Sequence, residues 1–392
     1  MGDVLKANWR SVKLGEVAIE RTERVDNPAD SKFDRYVGSD DIDRLEGSLR
    51  RWRSSTEVTS AAKVFQPDDF LFVRRSLYAS DFRERAARSD FAGVCSGDIL
   101  PLRARPGVIE PGFLGAVLNH PRIWEYVVKH ATGSITRRIK WRDLAEYEFP
   151  LPPLAEQRRV ARLLEASTAF VEHLTALARE ARVVQRAALD SLFALPDSAV
   201  PLSRLCADTI TYGIVQAGPD VPTGVPYIRV TDMTAGDELS TNGMLRTSAD
   251  IAKKYARSMV RTGDIVVALR GVAGRVMTVP AELDGANLTQ GTARVRVSPE
   301  HNSTFVLWAL RSTRGRREFR RFLRGWKGES LLEITLGDLR EVSVPVPCRS
   351  TQDQIASAAA DLNAAVAATD RRLAAALEIH RAILSSDVSG AA

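Results

Sequence analysis

The sequence predicts an α/β (α+β) chain: two mixed modules in tandem, separated by two long antiparallel coiled-coil helices, forming an internal repeat with pseudo-two-fold symmetry. Three observations carry this reading. Features recur at one offset: Asp69 and Asp264, Asp143 and Asp338, Pro150 and Pro345, and Gln157 and Gln352 each stand 195 residues apart. Two segments, about 154–194 and 351–386, hold no Gly or Pro and are rich in Ala, Leu, Arg and Glu, the composition of long helices. The remaining chain mixes short apolar runs with Gly, Pro, Asp and Asn turns. The implied division is 1–150, a first module; 151–195, a long helix; 196–347, a second module; and 348–392, a second long helix.

In chain order, Val64-Phe65 and Phe70–Val73 read as strands, and Phe113 to Lys129 as a helix. Pro153 suits the first turn of the first long helix, and Pro196 stops it after Leu195. Along that helix Val160, Leu163, Ser167, Phe170, Leu174, Leu177, Ala181, Val184 and Ala188 alternate by three and four residues, a coiled-coil seam of about four heptads. In the second module Ile265 to Leu269 and Thr292 to Val297 read as strands, and Phe305 to Leu323 as a helix. Ser350-x-x-Asp353 has the form of a capping box opening the second long helix. Its seam (Ile355, Ala359, Leu362, Val366, Thr369, Leu373, Ala376, Ile383) is narrower and richer in Ala. Neither helix buries its stripe alone, so the economical arrangement packs the two antiparallel. Some 40 helical residues make a strut of about 60 Å, roughly one and a half to two turns of B-DNA at ~34 Å each. A bipartite target suits that geometry, and a dimerising rod with decorations is the plainer alternative.

At 392 residues the chain has room for two or three domains. With 44% hydrophobic and 27% charged residues it has a globular balance, neither disordered nor fibrous. No stretch reaches the ~18 apolar residues of a membrane span, and Met1 to Arg10 lacks the apolar region of a secretory signal, so a cytoplasmic location without membrane attachment is expected. Cys95, Cys206 and Cys348 lie far apart and form no C-x-x-C pair, which argues for small buried apolar residues rather than a disulfide framework or zinc site. The net charge of +6 has the sign that suits a polyanion.

Catalytic signatures are missing. There is no G-x-x-x-x-G-K-[ST] loop, and Gly271-Val272-Ala273-Gly274 reads better as a turn at a strand end. An amino-methyltransferase site would need Asp or Asn before Pro-Pro-aromatic, whereas Pro152-Pro153 lies between Leu151 and Leu154. The pairs Pro67-Asp68, Pro196-Asp197 and Pro219-Asp220 have no nearby E-x-K to complete a nuclease metal cluster. His120, His130, His173, His301 and His380 show no metal spacing. A non-catalytic chain with no metal and no cofactor of its own is expected.

What is present is arginine. Arg311, Arg314, Arg316, Arg317, Arg320, Arg321, Arg324 and Lys327 surround the single acid Glu318, with Phe319, Phe322 and Trp326 interleaved. The first half closes similarly, with Arg137, Arg138, Lys140 and Arg142 around Trp141. A solvated helix face is the plain reading of such runs. The same excess near the same place in both repeats points instead to phosphate contact, which gives affinity and register but not sequence choice. Base reading needs side chains at base edges. Candidates are Arg74, Arg75, Tyr78, Arg83 and Arg85 in the first module, and Arg270, Arg275, Asn287 and Gln290 in the second, on loops where the repeats diverge.

Phe149-Pro150-Leu151-Pro152-Pro153-Leu154-Ala155-Glu156-Gln157-Arg158-Arg159-Val160 resembles the junction of specificity subunits of type I restriction-modification enzymes, where a target-recognition domain meets a long helix. Val12 to Val17, Thr132-Gly133-Ser134, Tyr212 to Gln216 and Gly224 to Ile228 are similar to that family too, so the resemblance covers the whole chain. The second junction, Val344-Pro345-Val346-Pro347-Cys348, departs by lacking the second Pro and the Glu-Gln pair, although Gln352 remains. The resemblance implies two target-recognition domains that each read one part of a bipartite double-stranded DNA site. It implies two modification (methyltransferase) subunits docked on the helices, and a possible motor-nuclease subunit. S-adenosylmethionine, ATP and Mg2+ would then belong to those partners. Pro153, Gln157, Val160, Leu163, Phe170, Leu174, Leu177, Val184, Gln352, Ile355, Leu362, Val366 and Leu373 would serve the seam and the docking. Two alternatives stay open, a recognition chain of another multisubunit modification or defence system and a protein-binding scaffold without salt-dependent DNA affinity.

Overall fold

The computed structural model describes residues 8–42, 47–76, 85–134, 136–195, 198–233, 239, 241–324 and 332–388. It divides into two units, residues 1–177 with 370–392, and residues 178–369. Each long helix therefore contributes to both units, whereas the sequence division assigns each helix to a segment of its own.

In the first unit, strand Arg10–Lys13 pairs antiparallel with Glu148–Leu151, tying the start of the module to its end. Two sheets lie between these strands. One is antiparallel, in the order Ala18–Glu20, Ile99–Ala104, Phe70–Val73, Ala86–Arg88. The other has the order Arg24–Val25, Ala62–Phe65, Gly93–Cys95, Arg35–Val37, Arg53–Ser54, with Gly93–Cys95 parallel to Arg35–Val37. The Phe70–Val73 strand is buried on both faces, which explains why Phe70-Leu71-Phe72-Val73 runs apolar without alternation. Phe72 stacks on Trp124 with ring centroids 4.6 Å apart.

The second unit repeats this plan. Ala199–Pro201 pairs antiparallel with Ser343–Pro345. An antiparallel sheet runs Thr211–Tyr212, Thr292–Val295, Ile265–Ala268, Val276–Thr278. A three-stranded sheet holds Val225–Ile228 between Arg246–Thr247 and its parallel neighbour Asn287–Leu288. Hydrogen bonds match residue for residue: Ile139 N–H donates to Arg74 O, and Ile334 N–H to Leu269 O. Likewise Gln66 N–H meets the Asp69 carboxylate, and Arg261 N–H the Asp264 carboxylate.

The single helices expected over Phe113 to Lys129 and Phe305 to Leu323 are each two. In the first unit Pro111–Asn119 and Pro121–His130 are broken at His120, because Pro121 offers no N–H and forces its predecessor out of the α region. His120 then caps the second helix, its Nδ1 accepting from Arg122 N–H. In the second unit Ser303–Arg311 and Thr313–Phe322 are broken at Ser312, whose hydroxyl accepts from Gly315 N–H. A Cβ at Gly315 would stand 2.3 Å from Ala309 O, so only glycine allows this tight corner.

The long helices are Leu154–Leu192 and Arg349–Val388. Because the second begins at Arg349, Ser350-x-x-Asp353 lies inside it. The Asp353 carboxylate serves Asn302 and Arg349 instead of a capping box. Within the first unit Val160, Leu164 and Leu384 share one core, and Ser167 bonds His380 across the helix pair at 2.8 Å. Within the second unit Leu189 and Phe193 pack in one core with Ile355, Ala356 and Ala359, and Gln185 donates to Asn363.

The inward row of the first helix is Val160, Leu164, Ser167, Leu174, Ala178 and Leu189, all buried except Ser167, which is half-buried. That corrects the expected seam. Leu163, Phe170, Leu177 and Val184 are 38%, 55%, 39% and 61% exposed and stand beside the buried row. Val160, Ser167 and Leu174 lie in the inward row as expected, with Ala181 and Ala188 half-buried, and only the alternate positions move by one residue, to Leu164 and Ala178, because the three-and-four alternation admits two neighbouring placements on this Ala- and Leu-rich helix. On the second helix Ile355, Ala359, Val366 and Ala376 are buried, with Leu362, Thr369, Leu373 and Ile383 half-buried, along the expected stripe.

Cys348 corrects another expectation: it is exposed, while Cys95 is buried and Cys206 half-buried. The hydroxyls of Ser350 and Thr351 beside its sulfur lower its thiol pKa to about 7. No helix among the described residues is long and apolar enough to cross a membrane. No group of three or more His, Cys, Asp or Glu among them could hold a metal ion.

Candidate nucleic-acid interface

The two junctions set the geometry from which the candidate residues project. Gln157, 1% exposed, accepts from Glu110 N–H at 2.8 Å and donates to Pro152 O at 2.8 Å. Gln352, 2% exposed, accepts from Asn302 N–H at 2.9 Å and donates to Pro347 O at 2.9 Å. Each buried amide thus satisfies both of its ends on main-chain groups and fixes a module to the first turn of its helix. Gln157 and Gln352 are clasps inside the fold rather than docking residues on its surface. Pro153 is exposed just before the helix, where its missing N–H costs nothing.

In the first module the cations gather beside a two-stranded ribbon. Arg75–Ser76 pairs antiparallel with Arg137–Arg138, so that Arg75 lies opposite Arg138. Two like charges in register repel, and Asp98 resolves the conflict. Its carboxylate receives Arg75 at 2.8 Å and Arg138 at 2.7 Å. Burial pushes the Asp98 carboxyl upward, but the two guanidinium hydrogen bonds outweigh it and hold the group below its ordinary value. Arg75 and Arg138 each remain 41% exposed, an oriented pair with donors turned partly to solvent. Lys140 is exposed next to them.

Other candidates are held inside the fold. Arg137 donates to Val128 O and Ala131 O, capping the C-terminus of the Pro121–His130 helix. Arg85 donates to Ser39 O and Ile42 O and pins that loop. Arg74 is half-buried, with its Nε out of solvent and no hydrogen-bond partner among the described residues. Tyr78 and Arg83 lie outside the described residues, as do Trp326 and Lys327.

In the second module Arg270 takes the place of Arg75, and Glu333 that of Arg138. Glu333 bridges Arg270 on one side and Arg324 on the other, and its carboxylate lies 3.7 Å from Arg270. Arg324 reaches Asp338 at 3.2 Å and stays 69% exposed. One scaffold position therefore shows two arginines in one repeat and an arginine with a glutamate in the other. Gln290 is exposed. Arg275 donates to Met233 O. Asn287 is 2% exposed and bonded to Ser258 and Ala252 O, so this candidate base reader is a buried structural residue.

The Thr313–Phe322 helix buries Phe319 and exposes Arg316, Arg317, Arg320 and Arg321. Arg321 pairs with Glu318. Arg314 turns back to Leu195 O, and Arg311 donates to Val276 O against the Trp308 ring. The matching helix of the first module carries only Arg122, Lys129 and His130 as basic residues. The basic face belongs to one module.

Comparison with known proteins gives this arrangement relatives. Over 285 residues the chain is 27% identical to the type I restriction enzyme EcoBI specificity subunit of Escherichia coli, covering 62% of this chain and 55% of that protein. It is 23% identical to the EcoDI specificity subunit of Escherichia coli over 167 residues, 42% of this chain and 36% of that one. The matches thus span less than two thirds of these relatives' length. The solved S subunit of a type I restriction-modification system from M. genitalium superposes with a TM-score of 0.60 at 16% identity, covering 99% of both chains. A chain from a study of assembly and conformational transition of the type I R-M system gives 0.58 at 22%, covering 98% of both. The chain resembles type I restriction enzyme specificity subunits. No family model matches it.

With that likeness, the residues missed by sequence reasoning gain interest. Asp98, which orients Arg75 and Arg138, carries no motif and is distant in sequence from both. Glu333, an acid, belongs to no pattern of cations. Only the 195-residue offset, followed position by position, would have placed it opposite Arg270.

Proposed function

We propose that this chain is the DNA-recognition subunit of a type I restriction-modification complex, with each module reading one part of a two-part double-stranded site. The single observation that carries this reading is the ribbon position where equivalent main chain displays Arg75 with Arg138 in one module and Arg270 with Glu333 in the other. A duplicated scaffold with divergent charges suits two half-sites of different sequence, since cations favour acceptor-rich base edges and a carboxylate favours the cytosine amine. Arg317, Arg320 and Arg321 supply phosphate contacts that set register without choosing sequence.

The chain itself carries out no chemistry. Two methyltransferase subunits, using S-adenosylmethionine, dock on the long helices, and a motor-nuclease subunit using ATP and Mg2+ acts where the site is unmodified. The exposed heptad row Leu163, Phe170, Leu177 and Val184 is the docking face, because apolar residues at that spacing cover a strip of a partner helix.

Methyl-adenine mapping of the host genome with and without this gene tests the proposal. Loss of one gapped, two-part motif is expected and names the sequence read. An unchanged methylome in a host whose neighbouring methyltransferase gene is expressed and active would overturn it.

A further inference from the structure

The second module holds a cleft of about 700 Å³ that the recognition reading leaves unused. Its lining includes Arg257, Arg261, Arg294, Arg296 and Arg340, with Asp208 as the only acid among the described residues. Arg296 is spoken for: it pairs with Asp264 at 2.7 Å, as Arg103 pairs with Asp69 at the equivalent place in the first module. The others are extra. At the matching register the first module has Gln66 for Arg261, Pro101 for Arg294 and Ala145 for Arg340.

Arg294 is 6% exposed, yet its charge is poorly answered. It donates to Met259 O at 2.9 Å, as Arg340 does to Ile210 O, but it shares its one carboxylate, Asp208, with Arg296, at 3.1 and 3.0 Å, and that carboxylate is itself 47% exposed. The Nε atoms of Arg294 and Arg340 are out of solvent with no hydrogen-bond partner among the described residues. Burial, then repulsion from Arg296 and Arg261, pulls the Arg294 pKa down despite the pull of Asp208 and Asp264. Buried guanidinium donors left unbonded are costly and rare. Two of them on one cleft, beside the exposed Arg257 and Arg261, describe a site built for an anion that answers the excess charge. Tyr212 and Met259, 42% and 39% exposed, add an aromatic and a thioether surface to the same wall.

We propose that this cleft binds the phosphate group of a nucleotide, with Arg294 and Arg340 facing the phosphate and Arg257 and Arg261 closing over it. The phosphate comes either from a free nucleotide or from a DNA strand. The inference stands on the cleft's own chemistry and holds whether or not the modules read sequence.

The test uses the full chain, with its methyltransferase partners where these are needed for solubility. Inorganic pyrophosphate and 5′-dAMP, each matched in ionic strength by sodium chloride, are expected to raise Tm by about 2 °C or more over the chloride control. In R257Q/R261Q, which alters two exposed side chains, the affinity for both probes is expected to fall at least about tenfold. Competition then assigns the source. Displacement of pyrophosphate by a 20-base-pair duplex of unrelated sequence points to strand phosphate, and simultaneous binding points to a free nucleotide. No stabilisation by either probe, or an equal shift in the double variant, would overturn the proposal.

Discussion

His120 links sequence, backbone and pH most directly. Its Nδ1 must stay unprotonated to accept from Arg122 N–H, and burial followed by the Arg122 charge lowers its pKa to about 4. Because the folded value lies below the unfolded one of 6.5, protons favour the unfolded chain. The contribution is full above pH 6.5 and is shed as the pH falls from 6.5 towards 4. His120→Asn keeps a capping acceptor without a titrating ring, so denaturant unfolding should show a shallower loss of stability across that window. Equal slopes would refute the assignment. Cys348 gives the opposite case, an exposed thiol lowered to about 7 by its neighbouring hydroxyls, whereas burial pushes Cys95 and Cys206 up to about 12. Iodoacetamide should therefore modify one thiol of the native protein, with a rate inflecting near pH 7, followed by peptide mass spectrometry. Modification of all three at equal rates would contradict this. At this scale the sequence was least legible. Nothing in the string distinguishes a displayed arginine from Arg85 or Arg137, which spend their donors on carbonyls, and Asn287 looked like a reader only because burial leaves no local mark.

Elements were far more legible, and for physical reasons. Long runs without Gly or Pro set the two helices to within a few residues, and turn residues bounded the Phe70–Val73 and Ile265–Ala268 strands. Misreadings occurred where two local solutions differ little, as in the register of the first helix and the breaks at His120 and Ser312. The clasps were visible only as a repeated Gln. Removing either should be costly, since Gln157→Ala leaves Glu110 N–H and Pro152 O buried without partners. A loss of about 1–3 kcal/mol is expected in urea unfolding, and a similar loss for Gln352→Ala. If either cost less than about half a kcal/mol, the clasp would have no energetic role. The heptad row beside the buried one predicts a different signature. Phe170→Glu with Val184→Glu should shift stability by less than about 0.5 kcal/mol. Co-purification with the proposed methyltransferase partner should nonetheless fall about tenfold or more, and unchanged recovery would remove this row from the proposed docking face.

For the whole molecule, the repeat is what the sequence states most clearly: the order of features and their 195-residue offset stand in the string itself. The charges shown at equivalent places emerge only when the 195-residue offset is followed position by position. If the continuous helices set the unread gap of the target, one heptad added to each adds about 10 Å of helix, or about three base pairs at 3.4 Å. The gap found by methyl-adenine mapping should lengthen accordingly, and an unchanged gap would show that the helices do not set it.

Because Gln157 and Gln352 hold their modules through main-chain groups, with a single long side-chain contact from Gln352 to His301, the joint depends little on which side chains the attached module carries. A gene that exchanges one half with a relative by recombination at the junction would inherit a working hinge-free connection at once. Under the proposed DNA-reading role, new combinations of half-sites would then arise in single events, with the fold as a fixed socket and its contents free to change.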